Sequence, residues 1–341
     1  MVKVLISDPL AKEGIDRLKE EDGFRVREAP GLSQEELIRT IPEYDALIVR
    51  SETKVTEEVI NAASHLKVIG RAGTGLDNID IEAATKKGII VMNTPEGNTI
   101  SASEHTISMM LALSRNIPQA YFSLRSGEWN RKKFMGTEVY GKILGIIGLG
   151  RIGSEVAKRA QGLQMRILVY DPFISGERAE QFGVTLMGLE ELLPEVDYLT
   201  VHTPLTSQTR NLIGEKEIAL MKKDARIINC ARGGIIEEDA LYRALKENRL
   251  KGAALDVFEK GKPFDSPLLK LDSVIFTPHL GASTEEAQKR VALDIVLQVI
   301  DALKGRSLRN AVNILTSSPQ VQKEIEPYLS LAEKMGDLEA Q

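Results

Sequence analysis

The stretch that most constrains this chain is Gly148-Leu149-Gly150-Arg151-Ile152-Gly153. It follows the apolar run Ile143-Leu144-Gly145-Ile146-Ile147, too short for a helix, which reads as a buried parallel strand. After it comes Ser154-Glu155-Val156-Ala157-Lys158-Arg159-Ala160, a good helix former. At a strand-to-helix turn the three glycines have separate mechanical roles. Gly148 makes the tight turn, Gly150 lets a pyrophosphate approach the backbone, and Gly153 lets helix and strand pack closely. The helix start then offers free N–H groups and a positive dipole end to the phosphates.

A second strand, Arg166–Tyr170, ends at Asp171, 18 residues past Gly153, where an acid is expected to accept hydrogen bonds from an adenine ribose. An Asp-Pro turn explains Asp171 alone but not the whole strand-turn-helix-strand unit. A carboxylate there also repels a ribose 2′-phosphate, so the pattern favours NAD over NADP.

At 341 residues the chain is long enough for two domains, each with its own core. A net charge of −5 without a basic block argues against a nucleic-acid partner. The lone Cys230 excludes an intramolecular disulfide and suits a reducing compartment. No apolar run approaches the roughly 20 residues that span a bilayer, and Val2–Pro9 reads as a first strand and turn rather than a signal peptide. The expectation is a cytoplasmic protein that meets neither membrane nor nucleic acid.

Residues 1–95 alternate strand-like runs (Val2–Ile6, Ala46–Val49, Leu66–Ile69, Ile89–Val91) with helical patterns (Ala11–Lys19, Gln34–Arg39, Glu57–Ala62, Asp80–Lys86), which predicts an open parallel sheet covered by helices. Ligands bind at the carboxyl ends of such strands. Arg50-Ser51 follows one strand, and Gly70-Arg71-Ala72-Gly73-Thr74-Gly75 follows another. The latter reads as an anion nest with Arg71 supplying charge, or as a plain turn that needs positive φ. A second block, 143–279, offers six strands at 143–147, 166–170, 198–202, 226–230, 252–257 and 274–277.

Ser101-Ala102-Ser103-Glu104 and Ser283-Thr284-Glu285-Glu286 both have the form of a capping box, each opening a long helix. They bracket the nucleotide block, which suggests that it is inserted into the first domain, with a hinge and cleft where the chain leaves and returns. The expected division is 1–97, first part of a substrate domain; 98–282, nucleotide domain; 283–314, return segment; and 315–341, a helical tail without chemistry.

Oxidation of a secondary alcohol needs a base for the hydroxyl proton and a cation to polarise the oxygen. Of the four histidines, His65 reads as surface and His105 as a packing residue inside a helix, while His202 ends a strand near the nucleotide cleft. His279 ends the last strand at the domain junction and is favoured by position. Arg232, between a buried strand and Gly233-Gly234, can fork onto a carboxylate. Trp129 to Gly136 forms a basic patch flanked by aromatics, on composition alone as well a solvated loop as a functional one. Cys230 reads as a small core residue, and the scattered histidines leave no metal-ligand cluster.

These segments, with Val49-Arg50-Ser51, Gly70 to Asn78, Asn229 to Gly234, Ala254 to Phe258 and Pro278 to Ser283, resemble the D-isomer-specific 2-hydroxyacid dehydrogenases over residues 1–313. The resemblance implies a doubly wound parallel-sheet (Rossmann) nucleotide domain inserted into a flavodoxin-like α/β substrate domain. It implies NAD-dependent oxidation of D-3-phosphoglycerate to 3-phosphohydroxypyruvate, the first step of serine biosynthesis. By that analogy His279 accepts the proton and Arg232 binds the carboxylate. Thr74, Arg151, Ile152, Asp171, Thr203, Cys230, Ala231, Asp256 and Ala282 join the three glycines in lining the cofactor. Arg50, Arg71 and the Thr74-Gly75 backbone hold the substrate, and Arg131 with its lysine neighbours reaches a phosphate, from the partner subunit of a homodimer or homotetramer.

Two departures stand out. The family has a glutamate five residues after the aspartate of the Asp-Val-Phe run, paired with the histidine; here that position is Gly261, which predicts lower activity or an altered pH profile. Residues 314–341 look like the start of a longer form's C-terminal extension, so sensing of serine is not expected of this chain. A glyoxylate or hydroxypyruvate reductase on the same scaffold, and an NAD-sensing protein without turnover, are the alternative readings.

Overall fold

The computed structural model describes residues 1–314; the expected helical tail, 315–341, lies outside the described residues. The chain divides into two compact units. One joins Met1–Gly97 to the segment that begins at Gln288, and the other is the uninterrupted Asn98–Ala287 between them. The division falls inside the last helix, Glu285–Leu303, rather than before it.

The first unit is built on a five-stranded sheet: β1 (Val2–Ile6), β2 (Phe24–Glu28), β3 (Ala46–Val49), β4 (Val68–Arg71) and β5 (Ile90–Asn93). All neighbours are parallel, in the order β2-β1-β3-β4-β5, the flavodoxin-like arrangement. Strand β2 has no counterpart among the expected strands. Its Phe-Arg-Val-Arg-Glu alternates on an edge with no residue fully buried, so it lacks the apolar run of a central strand. The Glu285–Leu303 helix lays Val291, Ile295, Val296 and Val299 onto Val4, Ile6, Ile48 and Met92. Close approach needs glycine: a Cβ at Gly70 would stand 2.8 Å from Val299 and 2.9 Å from Ile295.

The second unit carries β6 (Ile143–Ile147), β7 (Arg166–Tyr170), β8 (Thr185–Leu186), β9 (Tyr198–Val201), β10 (Arg226–Asn229), β11 (Gly252–Leu255) and β12 (Val274–Phe276). Their order, β12-β11-β10-β9-β6-β7-β8, is parallel throughout. That is the doubly wound order with a seventh strand added, and it reverses direction between β6 and β9, where such sheets take ligands. Two-residue β8 is too short to announce itself in sequence. Separate cores lie on the two faces, one around Leu199, Ile227 and Leu241, the other around Ile146, Val169 and Met110.

Both expected capping boxes are displaced. The first long helix starts at Thr99, after Asn98, so Ser101 lies within it, buried, and uses its hydroxyl elsewhere. At the last helix Thr284 caps instead of Ser283, its Oγ1 accepting from the Ala287 N–H at 3.3 Å. No helix among the described residues is long and apolar enough to cross a membrane.

Candidate functional site

The turn after β6 has the geometry that its glycines imply. Gly148 sits at φ +92°, and a Cβ there would meet the His202 carbonyl at 2.9 Å. A Cβ on Gly153 would lie 2.0 Å from the Gly148 carbonyl oxygen, whereas nothing comes within 4 Å of one on Gly150. The turn is therefore closed by two glycines and open at the third, which is the cradle that a diphosphate requires. Arg151 and Ile152 start the helix that follows. Asp171, just past β7, folds back on this turn: Oδ2 accepts from the Leu149 N–H at 2.8 Å and Oδ1 from the Phe173 N–H at 2.9 Å. Each carboxylate oxygen retains a second lone pair for a ribose hydroxyl. Beside Gly148, the Thr203 hydroxyl is buried without a partner, a polar atom that a bound nucleotide would satisfy.

Asn229 at the end of β10, which sequence reasoning passed over, shapes the loop that carries Arg232. Buried at 2% exposure, its Nδ2 donates to the Arg232 carbonyl at 2.8 Å while its Oδ1 accepts from the Ala231 N–H at 3.0 Å. The half-buried Arg232 donates from Nη1 to the Ala231 carbonyl at 2.7 Å. Gly233 packs so tightly on the next loop that a Cβ would fall 2.1 Å from Phe258 backbone atoms. Cys230 is buried, and burial, then the nearby Asp256 charge, pushes its thiol up to about 12, so it is no nucleophile.

Asp256, just past β11, organises the turn that presents His279. Its carboxylate, fully buried, accepts from Thr277 Oγ1 at 2.6 Å, from the Leu280 N–H at 2.7 Å and from the Gly281 N–H at 2.8 Å. Its backbone carbonyl accepts from the His279 N–H at 3.0 Å. His279 itself is exposed and adopts φ +58°, a left-handed conformation few non-glycine residues take. Ala282 follows directly. Burial would raise the Asp256 pKa, but His105, Thr277 and the Leu280 N–H outweigh it and hold the carboxyl below its ordinary 3.8. His105 is thus no packing residue: its Nε2 lies 3.2 Å from Asp256 Oδ1 and 3.1 Å from Thr277 Oγ1. The other histidines divide as expected by position. His65 is exposed, and burial pushes His202 down to about 4, leaving a neutral ring against Thr200 Oγ1 at 3.0 Å.

The loop after Asp256 brings no carboxylate to position 261. Gly261 has φ +74°, with nothing within 4 Å of an added Cβ, and closes a turn by donating to the Phe258 carbonyl at 3.1 Å. Glu259 pairs instead with Arg210 at 2.9 Å.

In the first unit the expected anion-binding residues end neighbouring strands. Asp8, buried after β1, accepts from the backbone of Arg50 at 2.5 Å and from Thr53 Oγ1 at 2.6 Å. Arg50 Nε, Ser7 Oγ and Thr94 Oγ1 are buried without partners. The Arg71 guanidinium lies over Gly73, whose Cβ would fall 1.8 Å from Nη1. Asn93 holds the Thr74 carbonyl at 2.7 Å, next to Gly75. Ser7, Asp8, Asn93 and Thr94 are not among the expected site residues; their one signal is that each follows or closes a strand of a parallel sheet. Arg131 opens the short turn Arg131–Phe134 and is exposed. No cluster of three or more metal-ligating side chains occurs among the described residues.

Comparison with known proteins places the chain in a family. The family model of the D-isomer specific 2-hydroxyacid dehydrogenase NAD binding domain matches residues 107–281. A D-3-phosphoglycerate dehydrogenase of Synechocystis sp. is 53% identical over all of this chain, which covers 61% of that relative. The chain thus spans less than two thirds of the length of the first curated relatives it matches. Among solved structures, the TT0316 protein from Thermus thermophilus superposes with a TM-score of 0.84 at 33% identity, over 91% of this chain and 100% of that one. A glyoxylate reductase from Paecilomyes thermophila gives 0.84 at 31% identity, over 91% and 98%.

Proposed function

The chain belongs to the D-isomer specific 2-hydroxyacid dehydrogenases, and on that footing we propose that it oxidises D-3-phosphoglycerate to 3-phosphohydroxypyruvate with NAD. Relatives more than half identical over nearly the whole chain carry the D-3-phosphoglycerate dehydrogenase name. The observation that carries the reading lies within the second unit: three adjacent strands, β10, β11 and β12, lead into the loops of Arg232, Asp256 and His279.

In this reading Gly148, Gly150 and Gly153 hold the pyrophosphate, with Arg151 and Ile152 at the helix start. Asp171 takes the ribose hydroxyls, and Thr203, Cys230, Ala231, Asp256, Ala282 and Thr74 line the rest of the cofactor. Bound NAD supplies the acceptor for the hydride leaving C2. His279 takes the C2 hydroxyl proton as general base, and Arg232 binds the substrate carboxylate and polarises the C2–O bond. Arg50, Arg71, Thr74 and Gly75 bind the substrate's anionic groups, supported by the unpartnered polar atoms of Ser7, Arg50 and Thr94. Arg131 serves the phosphate.

The working form is a homodimer or homotetramer. The Ile117–Arg125 helix has no fully buried residue, and Tyr121, Phe122, Leu124, Trp129 and Met135 stay exposed nearby in the chain. An apolar display of that kind marks an interaction surface.

Steady-state assay with 3-phosphoglycerate and NAD tests the reading. His279→Gln is expected to lose about a hundredfold or more in kcat while retaining NAD binding, and Arg232→Lys to raise KM and lower kcat together. Wild-type turnover in His279→Gln would overturn the assignment. The glyoxylate reductase likeness keeps one second reading, a reductase of unphosphorylated 2-oxo acids; preference for glyoxylate or hydroxypyruvate over phosphohydroxypyruvate would establish it.

A further inference from the structure

Ser101 and His105 are four residues apart on the Thr99–Ser114 helix and therefore share one face. Both reach the same turn. Ser101 Oγ donates to the Gly281 carbonyl at 2.8 Å in a buried contact, and His105 Nε2 lies 3.2 Å from Asp256 Oδ1. Thr277 Oγ1 sits between, 2.6 Å from Asp256 Oδ1 and 3.1 Å from His105 Nε2.

Proton counting fixes the ring. Thr277 has one hydroxyl proton, and the short contact to a carboxylate claims it. Its oxygen therefore turns a lone pair to His105, whose Nε2 faces only acceptors, Thr277 Oγ1 and the Asp256 carboxylate. Nε2 must carry hydrogen. The helix thus supplies a donor to the side chain that in turn accepts from the Leu280 and Gly281 N–H groups. His279 stands at the start of this turn in a left-handed conformation that its own side chain does not favour.

We propose that His105 is a positioning residue: through Asp256 and Thr277 it holds the 277–281 turn in the one conformation that presents His279. The proposal deepens the reading of His279 as general base and rests on it for its kinetic consequence. It acts on the backbone first, so it has a readout in the protein without cofactor or substrate.

The test compares His105→Leu with His105→Gln, whose amide restores an N–H donor at nearly the same reach. In cofactor-free protein, amide hydrogen exchange at Leu280 and Gly281 is expected to quicken about tenfold or more in the leucine variant. It should return to within about threefold of wild type in the glutamine variant. kcat with 3-phosphoglycerate should follow the same order, with KM for NAD little changed. Exchange and kcat unaltered in His105→Leu would overturn the proposal, as would a loss that glutamine fails to restore, since that would assign His105 to packing. His279→Gln run alongside separates the two claims. If it keeps full turnover the general-base reading fails, while the exchange data still judge the turn.

Discussion

Asp256 shows how a buried charge can be retained at a site. Removed from water, its carboxylate is compensated by Thr277, two backbone N–H groups and His105, and the balance lowers its pKa below 3.8. A depressed carboxylate stabilises the fold fully above its unfolded pKa, and that contribution is lost as pH falls through the folded value. Asp256→Asn is therefore expected to cost on the order of 3 kcal/mol at neutral pH, with the gap to wild type shrinking as pH drops below 3.8. Urea unfolding at pH 7 and pH 3 checks this; an equal gap at both would mean that the charge is not what holds the turn. Gly261 invites the opposite experiment. Its φ of +74° and open surroundings admit a glutamate at a strain cost of about 1 kcal/mol. Gly261→Glu is expected to raise kcat several-fold and displace the pH profile, measured by steady-state kinetics. Unchanged turnover and pH dependence would show that the reaction does without a carboxylate there. At this scale the sequence marks as candidates those residues whose signal is their neighbours in the chain, Gly148, Arg232 and Asp171 among them. It did not reveal His105 or Asn229, because their partners lie in other elements.

Elements were legible where periodicity and burial coincide. The central strands β3 and β6 announce themselves as apolar runs, whereas the edge strand β2 alternates arginine with half-buried residues. Helix starts were less legible. Ser101 fits a capping pattern, but the helix runs through it and its hydroxyl serves the turn at Gly281, a choice made by tertiary contact. The Ile117–Arg125 helix has no fully buried residue and so gains little from its own unit. Phe122→Asp combined with Trp129→Ser is expected to convert the proposed homodimer or homotetramer to monomer, read by light scattering after size exclusion. An unchanged mass would rule this surface out as a subunit interface.

The whole molecule is an uninterrupted unit set inside an interrupted one. Residues 98–287 own a complete seven-stranded sheet with a core on each face. Expressed alone they are expected to bind NAD with a Kd within about threefold of the full chain; calorimetry showing no binding would mean that the cofactor site needs the first unit. Residues 1–97 have no such independence. Their sheet face waits for Val291, Ile295 and Val299, and the free edge of β5 is covered by the Val312 N–H donating to Val91 at 2.9 Å and by Asn313 Oδ1 accepting from the Val91 N–H at 2.9 Å. During synthesis, then, the ribosome delivers the N-terminal strands about two hundred to three hundred codons before the helix that roofs them. Until then that apolar face is uncovered, so translation pauses or chaperone supply in this window are expected to affect yield.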